Sequence, residues 1–281
     1  MSSAAFDSPV LRIEVDGHLG LLALARPEAG NAMGPEFWSD LPRAVEALCA
    51  DPAVRCIVLH AEGKHFSVGL DLKSMAGSLV SSGGGAGSSS QASRNASLNR
   101  NIKSMQASIT SLAACRVPVV AAVHGWCIGG GVDLIAACDI RVASQDAQFS
   151  VREAKVAIVA DIGSLQRLPR IIGAGHVAEL ALTGKDIDAE RAATIGLVNH
   201  VVEGGADGVL ELAREIAAEI AANSPLAVEG TKAVLAANDG KTVAEGLDFV
   251  ADFNTLYINS NDLVEAMTSF MEKRPGNYTG T

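Results

Sequence analysis

The chain has no excess of positive charge, no long uninterrupted apolar run and few cysteines. Twenty-two Lys and Arg face 32 Asp and Glu, a net charge of −10. That balance argues against nucleic acid, which is normally met by a basic face. The longest apolar runs are broken by glycine, His124 or charges, so none reaches the roughly 20 residues of a membrane-spanning helix, and no membrane partner is expected. Residues 1–9 show neither a basic start with an apolar run nor an Arg-rich amphipathic pattern, and residues 278–281 do not form a peroxisomal address. A cytoplasmic setting is therefore expected. The five cysteines, Cys49, Cys56, Cys115, Cys127 and Cys138, lie in apolar contexts with no Cys-x-x-Cys pair, and read as reduced core residues. The six histidines are scattered, without the neighbours of a metal site or a triad, so no metal is expected. Nucleophile elbow, phosphate loop and dinucleotide fingerprint are all missing.

What is present is a 281-residue chain, 48% hydrophobic, long enough for one large core or a core with a smaller appended unit. Alternation on either side of Asp16-Gly17 predicts a hairpin over 10–15 and 19–25. Trp38, Leu41, Val45 and Leu48 share one face of a helix expected over 35–50. Residues 56–60 read as a buried strand, and strand, turn and helix then recur through 117–137 and 140–172. This rhythm predicts an α/β fold with parallel strands. Residues 78–93, rich in Ser and Gly, cannot bury a core and predict a surface loop. Beyond residue 202 the pattern is helical, over 208–222, 225–237, 243–257 and 262–273, with breaks at Asn223-Ser224-Pro225 and Asn238-Asp239-Gly240.

The most informative feature is a set of three acids around a glycine triplet. Asp133 follows Gly129-Gly130-Gly131, and Glu153 and Asp161 come later in a largely apolar stretch. A strand, a Gly-rich turn and a helix start converge backbone N–H groups on one space, where they can stabilise a developing negative charge. Carboxyls in apolar surroundings have raised pKa values, which suits proton transfer near neutral pH. Each acid also has a local alternative: Asp133 as a helix N-terminal residue favouring the dipole, Glu153 paired with Arg152 or Lys155, and Asp161 capping a helix near Gly163.

With these residues in view, the chain resembles the crotonase (enoyl-CoA hydratase/isomerase) superfamily, and within it the Δ3,5-Δ2,4-dienoyl-CoA isomerase branch. The resemblance covers residues 11–275 and rests on Phe66-Ser67-Val68-Gly69-Leu70-Asp71-Leu72, on 127–141, on 151–169, and on Leu182-Thr183-Gly184 followed by Gly196-Leu197-Val198. It implies a crotonase-type superhelical ββα core over 1–202 and a C-terminal helical oligomerisation unit over 203–281, assembling as a homotrimer or homohexamer. It also implies an acyl-CoA substrate and no separate cofactor, CoA being part of that substrate.

Carried over by resemblance, the backbone N–H groups of Leu70 and Gly130 hold the thioester oxygen, Asp161 is the base at C2, Glu153 the acid at C6, and Asp133 a neighbouring acid. Gly69, Gly129 and Asp71 belong to the binding turns. Arg26, Lys64 and Lys73 flank the N-terminal motif turns as candidates for the CoA phosphates, and Lys273 is a candidate for a neighbouring subunit's site. In the hydratase branch the positions of Asp133 and Glu153 are both glutamates, and the branch that shifts a single double bond relies on one main acid/base residue. Those two reactions are the alternatives within the class; a non-catalytic acyl-CoA-binding or scaffold protein is the alternative outside it.

Overall fold

The computed structural model describes residues 6–75 and 90–281, and in it the expected hairpin opens a larger sheet. β1 (Leu11–Asp16) and β2 (Leu19–Leu24) pair antiparallel. From β2 the sheet continues in parallel through β3 (Cys56–Ala61), β4 (Val119–Val123), β6 (Ile140–Ser144) and β9 (His200–Val202). A second, three-stranded sheet joins β5 (Trp126–Ile128), β7 (Gln148–Ser150) and β8 (Ile187–Asp188). The strands of this second sheet are two or three residues long, too short to give an alternation signal.

The inner strands of the large sheet are buried on both faces, which explains their continuous Val, Ile and Ala runs. In β3, Ile57 and Leu59 join a core with Leu41 and Leu48 of α1 (Pro35–Ala50) and Ile109 and Leu112 of α2 (Gln91–Ala114), while Cys56 and Val58 point to the other side. There they meet Val209, Ala213, Ala217 and Ala221 of α7 (Gly205–Ala221). Small residues four apart let that helix lie close to the strands. The second face of the sheet is thus covered by a helix from the segment beyond residue 202.

Further along the chain come α3 (Gly130–Ala136), α4 (Ser164–Ile171), α5 (Ala174–Thr183) and α6 (Ala189–Thr194). The C-terminal helices α8 (Pro225–Ala237), α9 (Val243–Tyr257) and α10 (Asn261–Glu272) start where Ser224, Thr242 and Ser260 accept a hydrogen bond from a first-turn N–H. Thr242 and Glu245 complete a reciprocal capping box.

The loop expected over 78–93 lies outside the described residues up to 89. Its last part is corrected: Ser90 accepts the Ser93 N–H and 91–93 form the first turn of α2, since serine at that position favours a helix start over a coil. All five cysteines are free and buried or half-buried, as expected. Among the described residues, no helix is long and apolar enough to cross a membrane, and no His, Cys, Asp or Glu cluster has the arrangement of a metal site.

Candidate active site

Two turns are locked together by backbone hydrogen bonds. Ser67 N–H donates to Trp126 O (2.9 Å) and Ile128 N–H to Ser67 O (3.0 Å), so the 66–70 turn docks along β5. Asn31 fixes the other side of this turn: its side-chain amide donates to the carbonyls of Glu62 and His65, and its carbonyl oxygen accepts the Arg26 N–H. Ser67, fully buried, donates through its hydroxyl to Asn31 O and accepts the Gly69 N–H.

The amides around the two expected donors are spoken for. Gly69 N–H goes to Ser67 Oγ, Asp71 N–H to Met33 O, and Gly129 N–H to Ser150 O. Among the described residues, the Leu70 and Gly130 N–H groups have no protein acceptor. They are also neighbours, since a Cβ built on Gly130 would lie 3.9 Å from Leu70 N. Glycine is required where the turns meet: Gly69 has φ +85°, and a Cβ there would sit 2.7 Å from Ile128 O. The result is two free donors close to one another, one at the N-terminus of α3.

Helix α3 is buried along its whole length, so Asp133 in its first turn has no exposure. One carboxylate oxygen accepts the Ser164 N–H at the start of α4 (2.5 Å). Because Gly163 offers no side chain there, Asp133 caps α4 from across the fold. The other oxygen has no hydrogen-bond partner. Burial, and then the charge of Glu153, push the Asp133 pKa up to about 7, while Ser164 and the Arg167 guanidinium pull it back.

Glu153 begins a 3-10 turn (Glu153–Val156) just after β7. Its Oε1 lies near Gly129, where a Cβ would stand 3.4 Å away, and its Oε2 is buried without a partner. Its pKa is raised by burial and further by Asp161. Asp161, half-buried in the segment before α4, is likewise raised by burial. The three acids therefore form a chain of neighbours, Asp133 to Glu153 to Asp161, each pushed toward its neutral form.

The local alternatives for Glu153 and Asp161 fall away on contact geometry, whereas Asp133 does stand in the first turn of α3 as its alternative expected. Arg152 pairs with Asp186 and stacks over Trp126 instead of pairing with Glu153. The Lys155 stem lies against Gly184. Asp161 caps no helix, since α4 has Gly163 at its N-cap and no cap bond from the adjoining side chains.

Other sequence candidates are placed as follows. Arg26 and Asp71 form an ion pair (2.9 Å), and Asp71 also accepts the Lys73 and Ser74 N–H groups, so both brace the loop after the first turn. Lys64 and Lys73 are exposed beside that turn. Lys273 ends α10 in a left-handed conformation and takes no part in the contacts linking the acids and turns. Residue-by-residue reading missed Asn31, Ser164, Gln106 and Arg167. Their contribution is a tertiary hydrogen bond, which leaves no spacing signal.

Asp133 also makes stability depend on pH. Its folded pKa, about 7, exceeds the ordinary aspartate value of 3.8, so between those values the folded state binds more protons and stability falls as pH rises. The effect is on the order of a few kcal/mol. Asp133→Asn keeps an acceptor for Ser164 and loses the charge. The variant is expected to melt several degrees above the parent at pH 8, with the gap closing toward pH 4. Melting curves at both pH values check this, and an equal gap at both would refute it.

A cavity of about 910 Å³ lies elsewhere, between α7, α8, α9 and α10, with Ile220, Leu226, Leu235, Phe253 and Leu263 in its wall. It is a cleft of apolar helix faces containing none of the three acids, and the convergence of buried carboxyls with free donors is the better marker of chemistry.

The family model described as enoyl-CoA hydratase/isomerase matches residues 14–281. A peroxisomal Δ3,5-Δ2,4-dienoyl-CoA isomerase of Arabidopsis thaliana is 45% identical, over 94% of this chain and 94% of its own. The mitochondrial protein of that name from Dictyostelium discoideum is 44% identical over 90% of this chain and 85% of its own. Among solved structures, an enoyl-CoA hydratase from Bacillus anthracis superposes with a TM-score of 0.86 at 28% identity, covering 97% of this chain and all of the other.

Proposed function

Because this chain belongs to the enoyl-CoA hydratase/isomerase family, we propose that it is a Δ3,5-Δ2,4-dienoyl-CoA isomerase of fatty-acid β-oxidation. The observation that carries the reading is a row of three carboxyls raised by burial, beside two unpartnered backbone donors, together with relatives of that name at 44–45% identity over most of the chain.

The reaction moves protons at carbons far apart on one acyl chain. The Leu70 and Gly130 N–H groups hold the thioester oxygen. Asp161 takes the proton from C2, and the electron pair spreads through a dienolate whose charge those donors stabilise. Glu153 delivers its proton to C6, leaving double bonds at C2 and C4. Asp161 ends protonated and Glu153 ionised, and proton exchange restores the pair. With Asp161 ionised nearby, Glu153 favours its protonated form, as like charges in one site do. No cofactor enters this scheme.

The exposed apolar side chains of Val68, Leu72, Val156 and Val159 offer surface for an acyl chain. Exposed Lys64 and Lys73 are the candidates for the CoA phosphates, and Lys273 for a neighbouring subunit's site. Leu235, Leu247, Leu256, Met267 and Phe270 are also exposed, on α8, α9 and α10. They support the 203–281 segment as the contact region of a homotrimer or its paired hexamer, for which a single-chain mass by light scattering would be fatal. A cytoplasmic setting is part of the proposal, although the relatives cited carry mitochondrial and peroxisomal names.

Hydration of a 2-enoyl-CoA is the second reading, favoured by one observation: Asp133 and Glu153 each keep a buried oxygen without a partner, two acceptors that would suit a single water. Ultraviolet spectra separate the two. Growth of the thioester-conjugated 2,4-diene band from 3,5-dienoyl-CoA, with 2-enoyl-CoA unchanged, is the expected result. Loss of the enoyl band with the diene untouched would establish hydration instead.

A further inference from the structure

The segment carrying the base has no secondary structure of its own. What fixes it comes from two helices. Gln106 Nε2, on α2, donates to the Asp161 carbonyl (2.6 Å). Arg167, on α4, donates through Nη2 to Thr110 Oγ1 (2.9 Å) and through Nη1 to Ile162 O (3.4 Å). Gln106 and Thr110 are four apart on one face of α2, and the Thr110 hydroxyl donates to Gln106 O (2.7 Å), tying the two holds together. The guanidinium lies directly over Gly163: a Cβ there would fall 1.8 Å from Arg167 Nη1, and the residue has φ +137°. Only glycine admits the arginine.

We propose that Gln106 and Arg167 are positioning residues of the isomerisation, clamping segment 161–163 between α2 and α4 so that the Asp161 carboxyl is held at C2 of the substrate. The inference rests on the isomerase reading above. A side chain on an irregular segment is placed only as well as its backbone, and a displacement of about 1 Å at a reacting group can cost on the order of 100-fold in rate. Gln106 bonds the carbonyl of the base residue itself, so its loss acts on placement without removing a reacting group.

Gln106→Met keeps size and removes the donor. Per folded site, kcat for 3,5-dienoyl-CoA is expected to fall about tenfold with KM within twofold. The kinetic isotope effect from C2-dideuterated substrate should rise above the parent's, because proton abstraction becomes slower relative to the other steps. Thr110→Val, which releases Arg167 from α2, should move kcat and the isotope effect in the same direction by a smaller factor, and it decides the matter if the first variant does not fold. Unchanged kcat per folded site overturns the proposal, as does a fall with an unchanged isotope effect, which would indicate a merely structural contact. If Asp161→Asn itself retains full activity, the isomerase reading fails first.

Discussion

Asp161→Asn is expected to lower kcat for 3,5-dienoyl-CoA by roughly 10²–10⁴-fold, the usual contribution of a positioned acid/base group, while leaving CoA-ester binding intact. Asparagine preserves shape and half-burial but cannot accept the C2 proton. Glu153→Gln should lose a similar factor by a different route. In D2O, Glu153→Gln should still exchange hydrogen at C2, since the base and the oxyanion donors remain, yet fail to deliver a proton to C6. Asp161→Asn should lose the exchange as well. Mass spectrometry of recovered substrate reads the difference. C2 exchange that persists in Asp161→Asn and vanishes in Glu153→Gln would reverse the two roles.

The second large effect is expected from Gly69→Ala, which adds one methyl group. The residue has φ +85°, and its new Cβ would meet the carbonyl oxygen of Ile128 at 2.7 Å and Gly130 N at 3.4 Å. Both contacts are backbone, at the seam where the two turns are joined, so neither can swing aside as a side chain would. The turns must separate, and the two free donors lose their common focus. Misplacing one oxyanion donor costs roughly 10²–10³-fold in kcat. Gly17→Ala is the matched control: its φ is +60°, nothing lies within 4 Å of a Cβ, and it should show a stability loss of about 1 kcal/mol from backbone strain alone, with full activity. Equal activity in the two variants would remove Leu70 and Gly130 from the mechanism.

Much of the architecture was legible because the relevant signals are local. The hairpin around Asp16-Gly17, helix α1 at 35–50 and the C-terminal helices all stand within a few residues of their expected bounds, since periodicity and caps are short-range properties. Strands buried on both faces announced themselves as apolar runs. The small second sheet was not legible, because pairs of two or three residues carry no period. The beginning of α2 was hidden inside a Ser-rich stretch whose composition resembles a loop, although Ser90 at its end is a helix cap.

For the site, the sequence determined the inventory: three acids at fixed separations, two glycine turns, and the residue types able to move protons and hold an oxyanion. It also carried the family resemblance. Tertiary structure decided which of these groups meet and what each meeting does to its chemistry. Burial of α3 raises Asp133; the docking of segment 66–70 on β5 brings Leu70 N to Gly130 N; Arg152 turns to Asp186 and leaves Glu153 unpaired; α2 reaches across to hold Asp161. The physical reason is that pKa, donor focus and pairing depend on distance and desolvation between groups far apart in the chain, and spacing along a sequence encodes neither.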